Sequence, residues 1–188
     1  MKVFVAGGAR SGKSRYAEAL AQHFASESKS EVAYIATLDA SDDEMARRIA
    51  QHRARRPQSW RTVETRLGVT KAAREAGEEV VLLDCLSGFV SNLLLEHEDR
   101  GEVAVMRAIS GAVGEIAEVL KESPKTVIVV SNEVGSGVVP AYTLGRWYRD
   151  ALGAANARVA RSCDAAVLMS VGIPQVLKGI LPEVTVDA

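Results

Sequence analysis

The octet Gly7-Gly8-Ala9-Arg10-Ser11-Gly12-Lys13-Ser14 constrains this chain more than any other feature. It follows a β-branched apolar run, Val3–Ala6, and opens the helical pattern Lys13–Ser26. It fits G-x-x-x-x-G-K-[ST], and strand, loop and helix stand in the order that this motif requires. Glycines let successive backbone N–H groups turn inward around an anion without Cβ clashes. The helix N-terminus adds free donors and partial positive charge. In such a loop Gly7, Gly8, Ala9, Arg10, Ser11 and Gly12 cradle phosphates, Lys13 reaches the outer phosphates, and the Ser14 hydroxyl is available to Mg²⁺.

Further apolar runs follow at Val32–Ala36, Val80–Leu83, Thr126–Val130 and Ala165–Met169. They lack polar alternation, as strands covered on both faces do. Trp60–Glu64 reads as one more short strand. Helical patterns lie between them at Asp42–Arg55, Leu67–Ala76, Leu86–Glu98, Val103–Glu122 and Leu144–Ser162. The alternation predicts an α/β fold, a P-loop NTPase-type three-layer sandwich with a mostly parallel sheet. Ser41 and Glu44 have the spacing of a capping box at the start of the Asp42–Arg55 helix. With 188 residues and no linker-like tract, residues 1–188 read as a single nucleotide-binding domain.

Composition excludes other classes. The 23 Lys and Arg nearly balance the 24 Asp and Glu, so no overall basic field points to nucleic acid. No run approaches the ~20 apolar residues of a membrane span, and Val3–Ala6 is too short for a signal-peptide core. Two cysteines, Cys85 and Cys163, match no metal or redox spacing. The expectation is a cytoplasmic protein with reduced thiols.

Asp84 ends the Val80–Leu83 run, where a second carboxylate of such a site would meet metal or nucleotide. The alternative is an Asp that caps the helix from Leu86. Between Arg47 and Arg66 the chain carries seven arginines and one acid, Glu64. Arg53, Arg56 and Arg61 are candidates for gripping a triphosphate through guanidinium forks. His52 lies within this cluster, either as a packed side chain or as a nucleophile toward phosphorus. From the residues alone, a small-molecule kinase and a P-loop binding module both stay open. A GTPase switch does not, because no N-K-x-D motif is present.

Several blocks together resemble one family. They are Gly7–Ser14, Tyr34–Thr37, Asp42–Met45, Arg48-Ile49 with His52, Arg56-Pro57, Trp60–Glu64, Leu83–Leu86, Ser91–Leu94, Ser131–Pro140, Arg146, Arg149-Asp150, Gly153, Asn156, Gly172–Pro174 and Lys178. The set is similar to the bifunctional adenosylcobinamide kinase / adenosylcobinamide-phosphate guanylyltransferases of cobalamin biosynthesis, over roughly residues 2–179. The resemblance implies phosphorylation of adenosylcobinamide by a nucleoside triphosphate, ATP or GTP, with Mg²⁺. Transfer of GMP from GTP to that phosphate follows, through a guanylylated histidine that by position is His52.

The resemblance further implies a corrinoid substrate and a homo-oligomer, a trimer. It places Arg53, Arg56, Arg61 and Glu64 toward nucleotide, with Arg61 foremost, Ser14 and Asp84 toward metal, and Asn132 and Glu133 on the substrate side. Family members often have two adjacent histidines where this chain has Gln51-His52.

Overall fold

The computed structural model describes residues 1–38, 46–47, 50, 53–54 and 56–186. Seven strands form one sheet: β1 (Lys2–Gly7), β2 (Val32–Ala36), β3 (Arg61–Glu64), β4 (Val80–Asp84), β5 (Thr126–Asn132), β6 (Ala165–Ser170) and β7 (Ile173–Lys178). Five helices accompany them: α1 (Lys13–Ser28), α2 (Val69–Glu75), α3 (Leu86–His97), α4 (Glu102–Glu122) and α5 (Thr143–Ser162). The sheet order is β3-β2-β4-β5-β1-β6-β7. All neighbours are parallel except β6 and β7, which form an antiparallel hairpin. The expected α/β sandwich is therefore the observed one.

The apolar runs are apolar throughout because both sheet faces are covered. Val3 and Val5, Tyr34, Leu82, Ile128 and Val130 point to one side, where α1 supplies Tyr16, Ala17 and Leu20. Phe4, Ile35, Val81, Leu83, Val127 and Val129 point to the other, against α2, α3, α4 and α5. This strict alternation of destinations is the period-2 geometry of a strand.

Residues 46–47, 50 and 53–54 are helical, in keeping with the helix expected there. Its capping box at Ser41–Glu44, with Arg48, Ile49, His52 and Arg55, lies outside the described residues. β5 runs two residues past the expected end, to Asn132. β7 was not anticipated, because Pro174 and six exposed positions give it no apolar signature. It is an edge strand that needs only β6, and the Val171-Gly172 turn fixes it there, with positive φ at both residues (48° and 84°).

The chain reverses its direction of sheet growth at β1, between β5 and β6. In open parallel sheets, ligands bind at the carboxyl ends of strands beside such a switch point.

Candidate nucleotide site

The carboxyl ends of β1, β5, β4, β2 and β3 stand in a row and carry, in that order, Gly7, Asn132, Asp84, Ala36 and Glu64. The octet bridges β1 and α1. Arg10 and Gly12 both have positive φ (57° and 89°), so the loop alternates hand and its N–H groups turn inward. Gly7 tolerates no side chain: a Cβ there would lie 2.5 Å from Ser11 Oγ and 2.7 Å from the Met169 carbonyl oxygen. Gly8, Ala9 and Arg10 are exposed, whereas Lys13 is buried and its Nζ donates to the Gly8 carbonyl at 3.1 Å. Ser11 Oγ is buried with no hydrogen-bond partner among the described residues. A buried hydroxyl left unpaired in a ring of inward N–H groups fits an anion placed there.

Beside this loop a cavity of about 220 Å³ is lined by Lys13, Ser14, Tyr34, Arg53, Arg56, Glu64, Asp84, Ser87, Asn132 and Tyr148, among others. Five segments far apart in sequence thus bring the expected residues together. Asp84 accepts a hydrogen bond from the Tyr34 hydroxyl at 2.6 Å. Burial, then the neighbouring Asp84 carboxylate, push the Tyr34 phenol well above its ordinary range, so it remains a donor. The Arg56 guanidinium lies over the Tyr34 ring, 3.3 Å from its centroid, and Arg56 Nε is buried with no partner among the described residues. Tyr34 therefore holds a carboxylate by its hydroxyl and a cation by its π face. Arg53 pairs with Glu64 at 2.6 Å.

Asp84 does not cap α3. Cys85 does, its sulfur accepting from the Gly88 N–H at 3.3 Å. Burial raises the Cys85 thiol, which keeps it protonated. The Thr37 hydroxyl donates to the Cys85 carbonyl at 2.7 Å and accepts from the Cys85 N–H at 3.0 Å, tying the end of β2 to the end of β4.

Other expected residues are placed differently. Arg61 starts β3, opposite Ala33, while Glu64 ends it. Three residues of strand, about 10 Å, separate it from the carboxyl edge. Its guanidinium forks onto Glu78 at 2.5 and 2.8 Å, and it does not line the cavity. Within this chain Arg53 and Arg56 occupy the place expected foremost of Arg61. Glu133 turns away from substrate: its Oε1 accepts from the N–H groups of Gly135 and Ser136, which shapes the loop after β5. Asn132 lines the cavity, and its carbonyl accepts from Asn156 Nδ2 at 2.9 Å. Asn156 Oδ1 in turn accepts from the Ser131 hydroxyl, so Asn156 braces the end of β5. His52 lies outside the described residues.

Sequence reasoning assigned no role to Tyr34, Ser87 or Tyr148. A tyrosine in an otherwise apolar buried strand was the available signal for Tyr34, because a buried phenol needs a partner.

A phosphate loop at a sheet switch point, with a carboxylate and two arginines facing it across a cavity, defines a P-loop protein that uses nucleoside triphosphates. The comparisons narrow the class. A family model described as cobinamide kinase / cobinamide phosphate guanyltransferase matches residues 3–177, and the chain belongs to that family. It is 42% identical over 181 residues to the bifunctional adenosylcobalamin biosynthesis protein CobP of Pseudomonas aeruginosa, covering 95% of this chain and 98% of the relative. It is 41% and 39% identical to the bifunctional adenosylcobalamin biosynthesis proteins CobU of Escherichia coli and Salmonella typhimurium, over 92% of this chain and 97% of each.

Proposed function

We propose that this protein phosphorylates the aminopropanol hydroxyl of adenosylcobinamide with a nucleoside triphosphate. It then transfers GMP from GTP to that phosphate, giving adenosylcobinamide-GDP and pyrophosphate. Family membership supports the pair of reactions. The carrying observation is the convergence of Lys13, Ser14, Arg53, Arg56, Asp84 and Asn132 on one cavity beside the phosphate loop.

The chain's residues divide the work. Backbone N–H groups of residues 8–14 and Lys13 hold the phosphates. Arg53 and Arg56 neutralise charge that develops on the leaving pyrophosphate. His52 is the guanylyl carrier. A neutral imidazole nitrogen attacks the α-phosphorus of GTP, the P–N bond forms, and the bond to pyrophosphate breaks with its electron pair. A phosphate oxygen of adenosylcobinamide phosphate then attacks the same phosphorus, and the P–N bond breaks to return neutral histidine. Arg53, next in the chain to His52, lines the cavity, which favours this assignment.

The donor set fits Mg²⁺. Ser14 and Asp84 offer hard oxygens, and no cluster of three His, Cys, Asp or Glu capable of holding a metal occurs among the described residues. Mg²⁺ is commonly held by one or two protein oxygens plus phosphates and water. When bound it supplies charge neutralisation between the outer phosphates. The working form is a homotrimer, in line with the resemblance.

The test is incubation with GTP labelled at the α-phosphorus, followed by denaturing separation. Wild-type protein becomes labelled through an acid-labile, alkali-stable bond. His52→Ala stays unlabelled yet still phosphorylates adenosylcobinamide. Label on the His52→Ala protein moves the nucleophile elsewhere. Absence of label on wild type leaves only a kinase.

A further inference from the structure

The cavity is too small for the whole substrate. Pockets that enclose drug-sized ligands run to roughly 300–1,000 Å³, and this one is about 220 Å³. A corrin macrocycle with its fringe of amide arms is larger than such ligands. Only the aminopropanol arm can enter, and the ring must rest on the rim.

One rim segment is built for contact and has no contact in the fold. After Asn132, which lines the cavity, the chain forms a loop over residues 134–142 before α5. It is braced from below. Glu133 Oε1 accepts from Gly135 and Ser136, and Arg149 Nη2 donates to the Gly135 carbonyl at 2.5 Å. Arg146 Nη1 donates to the carbonyls of Pro140 and Ala141 at 3.2 and 2.8 Å. The Tyr142 ring and Pro140 lie directly over Gly145 of α5, where an added Cβ would meet both within 2.8 Å.

On this framework Val138 is 95% exposed, Tyr142 69% and Val139 59%. Two arginines and a glutamate thus hold still a strip of apolar side chains that buries nothing in the chain itself. Such a strip marks a binding surface.

We propose that the loop 134–142 is the platform for the corrin ring, with Val138, Val139 and Tyr142 against its apolar face while the aminopropanol arm reaches past Asn132 to the phosphate site. This rests on the cobinamide reading above. Apolar contact with the ring, remote from the reacting hydroxyl, raises affinity for substrate and transition state alike, so it acts on KM and not on kcat.

The test is the double variant V138S/V139S, assayed for phosphorylation of cobinamide at saturating nucleotide, alongside Gly145→Ala, which displaces Tyr142 and Pro140. Expected for V138S/V139S is a KM for cobinamide raised about tenfold or more, with kcat, nucleotide binding and sedimentation unchanged. Gly145→Ala shifts KM in the same sense. An unchanged KM in both variants overturns the proposal. So does dissociation of the V138S/V139S assembly, which assigns the strip to contact between copies. If wild-type protein leaves cobinamide unphosphorylated, the reading of the function fails first, and that is seen before any variant is compared.

Discussion

Replacing Tyr34 by Phe deletes one oxygen from the centre of the site. The ring stays, so Arg56 keeps the surface on which it stacks. What goes is the 2.6 Å bond from the phenol to Asp84. Hydrogen bonds to charged groups contribute about 1.5–3 kcal/mol. Asp84 faces a cavity that water can enter, so its carboxylate is resolvated once the phenol is gone, and the low end applies. The expected loss is about 1.5 kcal/mol. At roughly 2–4 °C per kcal/mol for a domain of this size, the melting temperature falls by about 3–6 °C.

Tyr34→Ala removes the ring as well. It should cost about 3–5 kcal/mol, as for other large aromatics cut to Ala in a core. The raised phenol stays protonated across neutral pH, so the Tyr34→Phe deficit should be the same at pH 6 and pH 9. Urea unfolding of the three proteins at both pH values measures it. Metal-free nucleotide affinity should hold in Tyr34→Phe, because Arg56 is undisturbed, while the gain in affinity on adding Mg²⁺ should shrink. A Tyr34→Phe protein within about 0.3 kcal/mol of wild type refutes the reasoning, since the bond would then contribute nothing in solution.

Other outcomes follow from the same geometry. Lys13→Ala should reduce kinase and guanylyltransferase rates together by about two orders of magnitude or more, measured as separate initial rates on each substrate. The Arg61 guanidinium holds the Glu78 carboxyl below its ordinary range. That pair therefore stabilises the fold above pH ~4.3 and loses its contribution as pH falls through the lowered value. Glu78→Gln should flatten the acid limb of stability by under about 1 kcal/mol, for a largely solvent-facing pair, and leave both rates unchanged. Burial pushes the Cys163 thiol up to about 12. An unfolded thiol ionises near pH ~8.5, so this contribution is complete below that value and is lost as pH rises toward the folded one. Cys163→Ala should lessen the fall in stability between pH 8.5 and 10.5 by up to about 1.4 kcal/mol per pH unit, read by urea midpoints.

The phosphate loop was fully legible in the chain, because its function resides in consecutive backbone groups. Gly7, Gly12 and Lys13 act within one turn of polypeptide, and residue order alone places them. The strands were legible for a related reason: a sheet covered on both faces demands unbroken apolar runs, and Val3–Ala6 or Val80–Leu83 can satisfy little else. Asp84 could be singled out because it ends such a run. The arginines could not be sorted that way. Arg53, Arg56 and Arg61 are near neighbours in sequence, yet β3 is parallel to β2, so its first residue faces away from the carboxyl edge that its last residue reaches. Arg61 consequently meets Glu78, while Arg53 meets Glu64.

The bond between Tyr34 and Asp84 spans fifty positions, and the arginine on the same ring comes from a third segment. Composition and spacing carry no trace of such a meeting. It exists because β2 and β4 are adjacent in the sheet and register Tyr34 against Leu82, two residues before Asp84. Residue order thus determined that this chain binds phosphate groups and where its backbone does so. Only the packing of the sheet decided which side chains face those phosphates, since contacts between distant segments depend on strand order and register, which no local stretch encodes.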